Sequence, residues 1–490
     1  MPFVPLAIPP GVYRNGTEYQ SKGRYYDANL VRWIDGALAP VGGWRTRTAT
    51  TMSGKARAAI AWKTNGSVTW LGVGTHSKLY VQNRAGTVSD ITPAGFTAGR
   101  ADAVAQGGYG SSTYGTSTYG TPRPDSTLIQ DASMWSLDTW GEDLVGVMAD
   151  DGKIYEWTLS TGTPAAQVTG SPTCRAVVVT AERIMMALGA GNPRRVKWSD
   201  QEDDTDWTPS AVNQAGSFDL QTVGRLMCGK VVSAGVLLFT DIDVHLARYT
   251  ADTLVYAFDR VGSNCGIISQ GAVVALDTQA VWMGRNGFWQ YNGFVQPLPC
   301  DVQDYVFSDI NELQLSKTWA FHNSAFGEIE FHYCSAGSNE VDRCVVWAYR
   351  DNHWNIGRPA RLCGSDRGVF AYPIQVDAGG ATYEHEVGFS YAGAAPFVEG
   401  GPLELGLGDQ VMQVRDLVPD EKTQGDVTTT FKTRFFPGGP EETFGPYAAS
   451  GPPTNLRFTG RAVKVRYTGA NLADWRVGAP RLEVKAGGRR

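Results

Sequence analysis

Short apolar runs broken by tight-turn signals recur along most of this chain. Residues 271–299 show the unit: apolar from Ala272 to Leu276, polar at 277–279, apolar again from Ala280 to Met283. A turn at Arg285-Asn286-Gly287, a third run from Phe288 to Tyr291 and a further turn at Asn292-Gly293 complete it. Asn-Gly permits positive φ at both central positions, which suits a two-residue hairpin that keeps the strand twist. One such sheet cannot bury its own faces and must stack on neighbours of the same kind. Comparable units start near residue 56 (runs 56–62, 68–72, 78–82), then at 134–159, 176–199, 231–259 and 317–357, with a further candidate in 368–372 and 384–390. Their starts fall roughly 40–60 residues apart, near the spacing of four-stranded propeller blades. No Trp-Asp signature recurs, and a stacked β-sandwich array is the competing architecture.

The flanking segments follow other patterns. Residues 1–45 carry Pro2, Pro5, Pro9 and Pro10, which oppose both helix and central strand. Their aromatic residues Tyr13, Tyr19, Tyr25, Tyr26 and Trp33 need burial, but too few apolar residues are consecutive to build a core. The segment reads as an arm lying across its own subunit or a neighbour's. Residues 107–124 repeat Ser-Thr-Tyr-Gly-Thr, placing Tyr109, Tyr114 and Tyr119 in a low-complexity stretch. That is either a surface loop or a partner-contact loop, with tyrosine supplying contact area. Residues 301–316 space Val302, Tyr305, Val306, Ile310 and Leu313 as a helix does, with Asp301 and Ser308 as expected N-caps. Beyond residue 396, Pro and Gly clusters separate runs at 411–417, 427–436, 456–467 and 481–484. The apolar parity slips around Gly460, which predicts a β-bulge. The expected fold is therefore all-β: an arm with platform-associated strands (1–55), a propeller-like array of antiparallel sheets (56–390, with the insertion), and a separate antiparallel platform domain (391–490).

Composition narrows the function classes. Glycine at 58 of 490 residues with 11% aromatic content fits many short strands. The net charge of −6 argues against a sequence-reading DNA binder, though not against a protein that lets DNA pass. Seven cysteines, an odd number without Cys-x-x-Cys spacing, predict buried free thiols made in a reducing cytoplasm. The proline-rich start lacks the basic n-region of a signal peptide, so the chain is expected to be soluble where it is made and to leave the cell by lysis.

Candidate chemistry is sparse. Walker, His-Glu-x-x-His, Gly-x-Ser-x-Gly and calcium-loop patterns are missing from the sequence. Gly189-Ala190-Gly191-Asn192-Pro193 reads as a turn. Glu384-His385-Glu386 has the donors to clip a metal, and Glu328 with Glu330 or Asp241 with Asp243 offers paired carboxylates for glycosidase chemistry. None is compelling beside structural roles, so no catalytic, cofactor or metal residue is assigned. Arg461, Lys464 and Arg466 form a basic stretch suited to phosphate or to a charged sheet edge. The densest charge cluster is Asp200, Glu202, Asp203, Asp204 and Asp206, closed by Trp207. It reads either as a loop paired with nearby Arg194, Arg195 and Lys197, or as the acidic rim of a channel that keeps phosphate from sticking.

An ordered set of features resembles the tail nozzle (tail-tube hub) proteins of short-tailed bacteriophages. It comprises the arm Pro9-Pro10-Gly11-Val12-Tyr13-Arg14-Asn15-Gly16-Thr17-Glu18-Tyr19 with Trp33, the Tyr-Gly repeat at 109–120, and Trp198-Ser199 with Trp207-Thr208-Pro209. Asn286-Gly287-Phe288, the segment 299–311, Glu328-Ile329, Tyr333, Trp347, Trp354 and the closing Trp475-Arg476-Val477-Gly478 complete it. The resemblance implies a non-enzymatic virion protein, assembled in the host bacterial cytoplasm, forming a six-copy ring around a DNA channel. Its implied partners are sister subunits, a tail adaptor protein above, a fibre, needle or tip protein below, and genome DNA passing without sequence recognition. The host envelope would be met only indirectly, and no cofactor is implied. Two other functions stay open: a carbohydrate-binding tail propeller and a polysaccharide depolymerase. On the nozzle reading, loss of residues 1–45 would impair assembly and leave a folded monomer.

Overall fold

Antiparallel hairpins make up nearly all regular structure in the computed structural model, which describes residues 3–105, 129–252, 254–404, 408–449, 451 and 453–488. Seven four-stranded sheets follow one another as blades. Their innermost strands are Ala56–Lys63, Trp135–Trp140, Ala176–Val179, Leu226–Val232, Val273–Ala275, Trp319–Asn323 and Arg361–Ser365. Each of these strands touches the next, and Arg361–Ser365 packs back on Ala56–Lys63, so the ring is closed. The chain thus contains a seven-bladed β-propeller.

Burial explains why the second strand of a blade loses its alternation. Ala280–Met283, Met185–Leu188 and most of Gly235–Thr240 are buried at consecutive positions. Such a strand has a neighbouring blade on each face, so both sets of side chains must be apolar. Trp282 and Phe239, of blades five and four, meet with ring centroids 5.2 Å apart. Full burial of one such side chain contributes about 1.5–3 kcal/mol. Outermost strands such as Ala166–Gln167 face solvent.

The seventh blade differs from its expected placement. Residues 368–372 form a turn region, and the strands are Arg361–Ser365, Ile374–Asp377 and Thr382–His385. The fourth strand, Trp44–Thr46, comes from the N-terminal segment and pairs with Tyr383–His385. The propeller is therefore closed by residues assigned above to the arm.

The remaining strands form a two-sheet sandwich. One sheet orders Phe3–Pro5, Arg481–Ala486, Met412–Val418 and Thr454–Gly460; the other orders Tyr25–Asn29, Phe397–Gly400, Ala462–Gly469, Val427–Arg434 and Glu442–Ala448. Phe431 and Phe458 meet between them at 4.9 Å. The parity slip at Gly460 is therefore not a bulge. Thr454–Gly460 and Ala462–Gly469 belong to different sheets, and the chain crosses between them at Arg461. Glu442–Ala448, inside a Pro/Gly-rich stretch, was not foreseen as a strand.

The N-terminal segment stitches both bodies together. Phe3–Pro5 and Tyr25–Asn29 each join a sandwich sheet. The hairpin Val31–Ile34/Ala37–Pro40 turns at Asp35 (φ 50°) and Gly36 (φ 81°), the positive-φ pair a two-residue hairpin needs. Leu38 exchanges backbone bonds with Val477 at 2.9 and 3.0 Å, and Val12 N–H donates to Trp354 of blade six at 2.7 Å. One hydrophobic core runs from blades four to six through Val12, Tyr25, Val31, Trp33 and Leu38 into the sandwich. Between blades five and six lie the short helix Gln303–Asp309 and the 3-10 segment Glu312–Lys317. Their N-caps are Val302 and Asn311 instead of Asp301 and Ser308; the Asn311 side chain accepts from Leu313 N–H. All seven cysteines are buried.

Candidate functional site

The acidic residues Asp200–Asp206 form the turn between the third and fourth strands of blade three, anchored by Trp207, which is 2% exposed against blades two and three. Most of the carboxylates shape the loop itself. Asp200 accepts from Gln214 N–H at 2.7 Å, Asp203 from Thr205 N–H, and Asp206 from Thr208 N–H and Asn213. Exposed Glu202 pairs with Arg183 at 3.4 Å. The expected pairing with Arg194, Arg195 and Lys197 is not what holds the cluster: Arg195 binds Asp219 instead. The turn lies on the outer part of its blade, away from the propeller axis.

Asp204 points inward. Its Oδ2 is buried without a hydrogen-bond partner among the described residues, and burial raises its carboxyl above the usual range. Across the junction with blade two, burial and the charges of Asp204 and Asp143 push Glu156 up to about 7. Its proton is therefore held more tightly folded than unfolded, and stability falls as pH rises from about 4.5 to about 7. Glu156→Gln is expected to raise the melting temperature at pH 8 and leave it unchanged at pH 4, as read by thermal scans at both values.

The arm aromatics divide. Tyr25 (5% exposed) and Trp33 (6%) are packed in the chain's own core, with ring centroids 5.3 Å apart. Tyr13, Tyr19 and Tyr26 are half-buried, and Arg14 lies over Tyr26 at 4.6 Å. Tyr109, Tyr114 and Tyr119 lie outside the described residues.

The paired carboxylates are held by local partners. Asp243 accepts from the Thr222 and Thr240 hydroxyls, and Asp241 from Arg225 N–H. Glu384 binds Arg45 and Arg47, His385 accepts from Arg361 Nε, and Glu386 binds Arg32, so these three consecutive residues serve four different arginines. The basic stretch near 461–466 is also paired. Lys464 meets Glu18 and Glu441, and Arg466 meets Glu399 at 3.2 Å, which makes it a neutralised layer under the arm and not a free phosphate site.

Three features escaped the sequence because they join distant segments. The first is a buried junction between hairpin, propeller and blade seven. Arg32, 4% exposed, makes bidentate contacts with Glu328 (2.8 and 3.1 Å) and with Glu386 (2.6 and 2.9 Å) and lies over the Phe326 ring at 3.6 Å. Glu386 also accepts from Gly42 N–H and Asn323. The second is the propeller axis, a cavity of about 290 Å³ lined by Asp138, Lys230 and Gln270 among apolar inner-strand residues. At one end Asp131 bridges Arg175 (3.2 Å) and Arg225 (2.9 Å). The third, beside the junction, is a cavity of about 70 Å³ that reaches Glu330, Cys344, Gln375 and His385.

No family model and no curated protein matches this sequence. Solved structures do resemble it. A streptogramin B lyase matches over 68% of this chain and 95% of its own at 11% identity and TM-score 0.40. The WD40 domain of Pan2 from Neurospora crassa matches over 70% and 94% at 10% identity and TM-score 0.39. BamB from Moraxella catarrhalis matches over 69% and 97% at 12% identity and TM-score 0.30. At these identities the likeness concerns fold alone.

Proposed function

We propose that this chain is a structural component of a short-tailed phage tail, a nozzle subunit whose copies form a ring through which the genome leaves. The observation that carries this reading is the open platform edge. Glu442–Ala448 is the last strand of its sheet and mostly exposed, and Phe435 (41% exposed) and Phe436 (62%) stand beside it. Pro446 and Glu442 limit backbone pairing along this edge, but no described residue covers it, and the exposed aromatics beside it favour contact with another copy. The propeller and sandwich share a core, so a ring built through the platform would carry the propellers rigidly around its outside. The ordered sequence features and the acidic charge balance support the same reading: a net-negative wall does not bind phosphate and lets DNA slide. In this reading six copies sit below an adaptor ring, a tip or needle protein closes the outlet, and the protein performs no chemistry.

Electron microscopy of the purified protein and of particles containing it tests the proposal. Six-fold rings at the distal tail are the expected result; a protein absent from the tail, or a strict monomer in both settings, overturns it. Phe436→Asp is expected to prevent ring formation while changing monomer stability by no more than about 0.5 kcal/mol, since the side chain is exposed. Sedimentation velocity and urea denaturation read the two effects separately.

A further inference from the structure

Blade six carries a cross-strand row with unusual chemistry for a sheet interior. His332 pairs with Trp319 on one side and Cys344 on the other, and Cys344 pairs in turn with Gly357. Glu330, two residues before His332, projects from the same face of the strand. His332 is 0% exposed, its ring stacked on Trp319 at 4.2 Å, and Cys344 is 5% exposed. A propeller interior at these positions ordinarily takes apolar side chains. A carboxylate, an imidazole and a thiol gathered there ask for a partner that rewards all three.

Donor atoms of Glu330, His332 and Cys344 lie within 4.8 Å of one another. Tetrahedral zinc, with bonds of about 2.0 Å to nitrogen and 2.3 Å to sulfur, sets its ligand atoms roughly 3.3–3.7 Å apart. The cluster reaches that spacing by small side-chain rotations. His332 Nε2 sits 3.0 Å from Glu330, near the separation of two ligand atoms on one ion, and Nδ1 is buried without a hydrogen-bond partner among the described residues.

We propose that Glu330, His332 and Cys344 form a binding site for one divalent, thiol-seeking transition-metal ion of the zinc class. The mixed oxygen, nitrogen and sulfur set disfavours magnesium and calcium, which take oxygen ligands. Binding releases the thiol proton to solvent as the sulfur–metal bond forms. Glu330 and Cys344 also line the 70 Å³ cavity, so the fourth coordination position opens onto space sufficient for a water molecule. The ion would tie the second and third strands of blade six together beside the Arg32 junction.

Cobalt(II) substitution tests the site with a readout independent of any activity. The full-length protein is stripped with a chelator, titrated with cobalt chloride and followed by absorption spectroscopy, with folding checked by near-ultraviolet circular dichroism. The expected result is one cobalt per chain, with tetrahedral d–d bands and a thiolate-to-cobalt charge-transfer band. Cys344→Ser should abolish the charge-transfer band, and His332→Ala should weaken binding by at least about 100-fold. Cys174→Ser, at a buried thiol in the blade two–three junction, should change neither. A folded wild-type protein without these bands, or bands that survive Cys344→Ser, overturns the proposal. The wild-type spectrum decides the matter even where a variant fails to fold.

Discussion

Deleting residues 1–46 is expected to leave no cooperatively folded chain. The reading of this segment as a detachable arm predicts a folded monomer that merely fails to assemble; the structure reverses that expectation. Val12, Tyr25, Ala28, Val31, Trp33, Leu38 and Ala39 are all buried, and most belong to the core that joins propeller to sandwich. Truncating single buried residues of the larger kinds costs about 2–5 kcal/mol each. Losing several at once exceeds the net stability of about 5–15 kcal/mol typical of folded domains. The deletion also strips the outermost strand from blade seven, exposing the edge of Thr382–His385, and removes Arg45, one of the two arginines that hold Glu384. The measurement is the near-ultraviolet circular dichroism of the truncated chain and its urea transition. A native-like spectrum with a sharp transition would show that the segment is dispensable to the fold.

Arg32→Ala is expected to destabilise the protein by about 3–5 kcal/mol, the cost of leaving buried charge without its partner. The side chain is held between Glu328 and Glu386, so its loss strands two carboxylates at once. The penalty should depend on pH. Burial, opposed by Arg32 and reinforced by Glu330 and Glu386, already pushes Glu328 up to about 7. A carboxyl raised in the folded state favours folding below its unfolded pKa, and that advantage is lost as pH rises through the folded value. Without Arg32 the shift grows, and protonation at low pH relieves more of the damage. The difference between variant and wild type should therefore be smaller at pH 5 than at pH 8, as measured by urea midpoints at both. Adding Glu328→Gln and Glu386→Gln to the variant should recover much of the loss, because the uncompensated charges are gone. An equal penalty at both pH values would show that Arg32 acts through packing over Phe326 and not through charge.

Much of the propeller could be read from local pattern. Asn286-Gly287 and Asn292-Gly293 mark the turns of blade five, and the unbroken run Ala280–Met283 marks a strand covered on both faces. These are short-range properties: a turn type needs particular residues, and a doubly buried strand needs apolar ones. The same holds for Gly189 to Pro193, which is a turn with positive φ at Gly189 and Gly191. Long-range decisions left no such trace. That Trp44–Thr46 closes a blade more than 300 residues downstream depends on pairing with Tyr383–His385, and a three-residue strand has no periodicity of its own. The change of apolar face at Gly460 is written identically for a bulge and for a crossing between sheets; only the partners of each half distinguish them. The Asp200–Asp206 cluster was visible as charge, but which carboxylates shape the turn and which one points inward was set by Gln214, Asn213 and Trp207. Glu328 stood out only as half of a carboxylate pair and Glu386 only as part of a metal-clip pattern, and nothing local joined either to Arg32. Folding brings them out of water together, and low solvent access is what turns their pairing from incidental to obligatory. Hairpins and the all-β class are legible along the chain because turns and strand burial are local demands. Tertiary structure decided the blade count, the closure and every buried polar contact, because those depend on which distant segments meet.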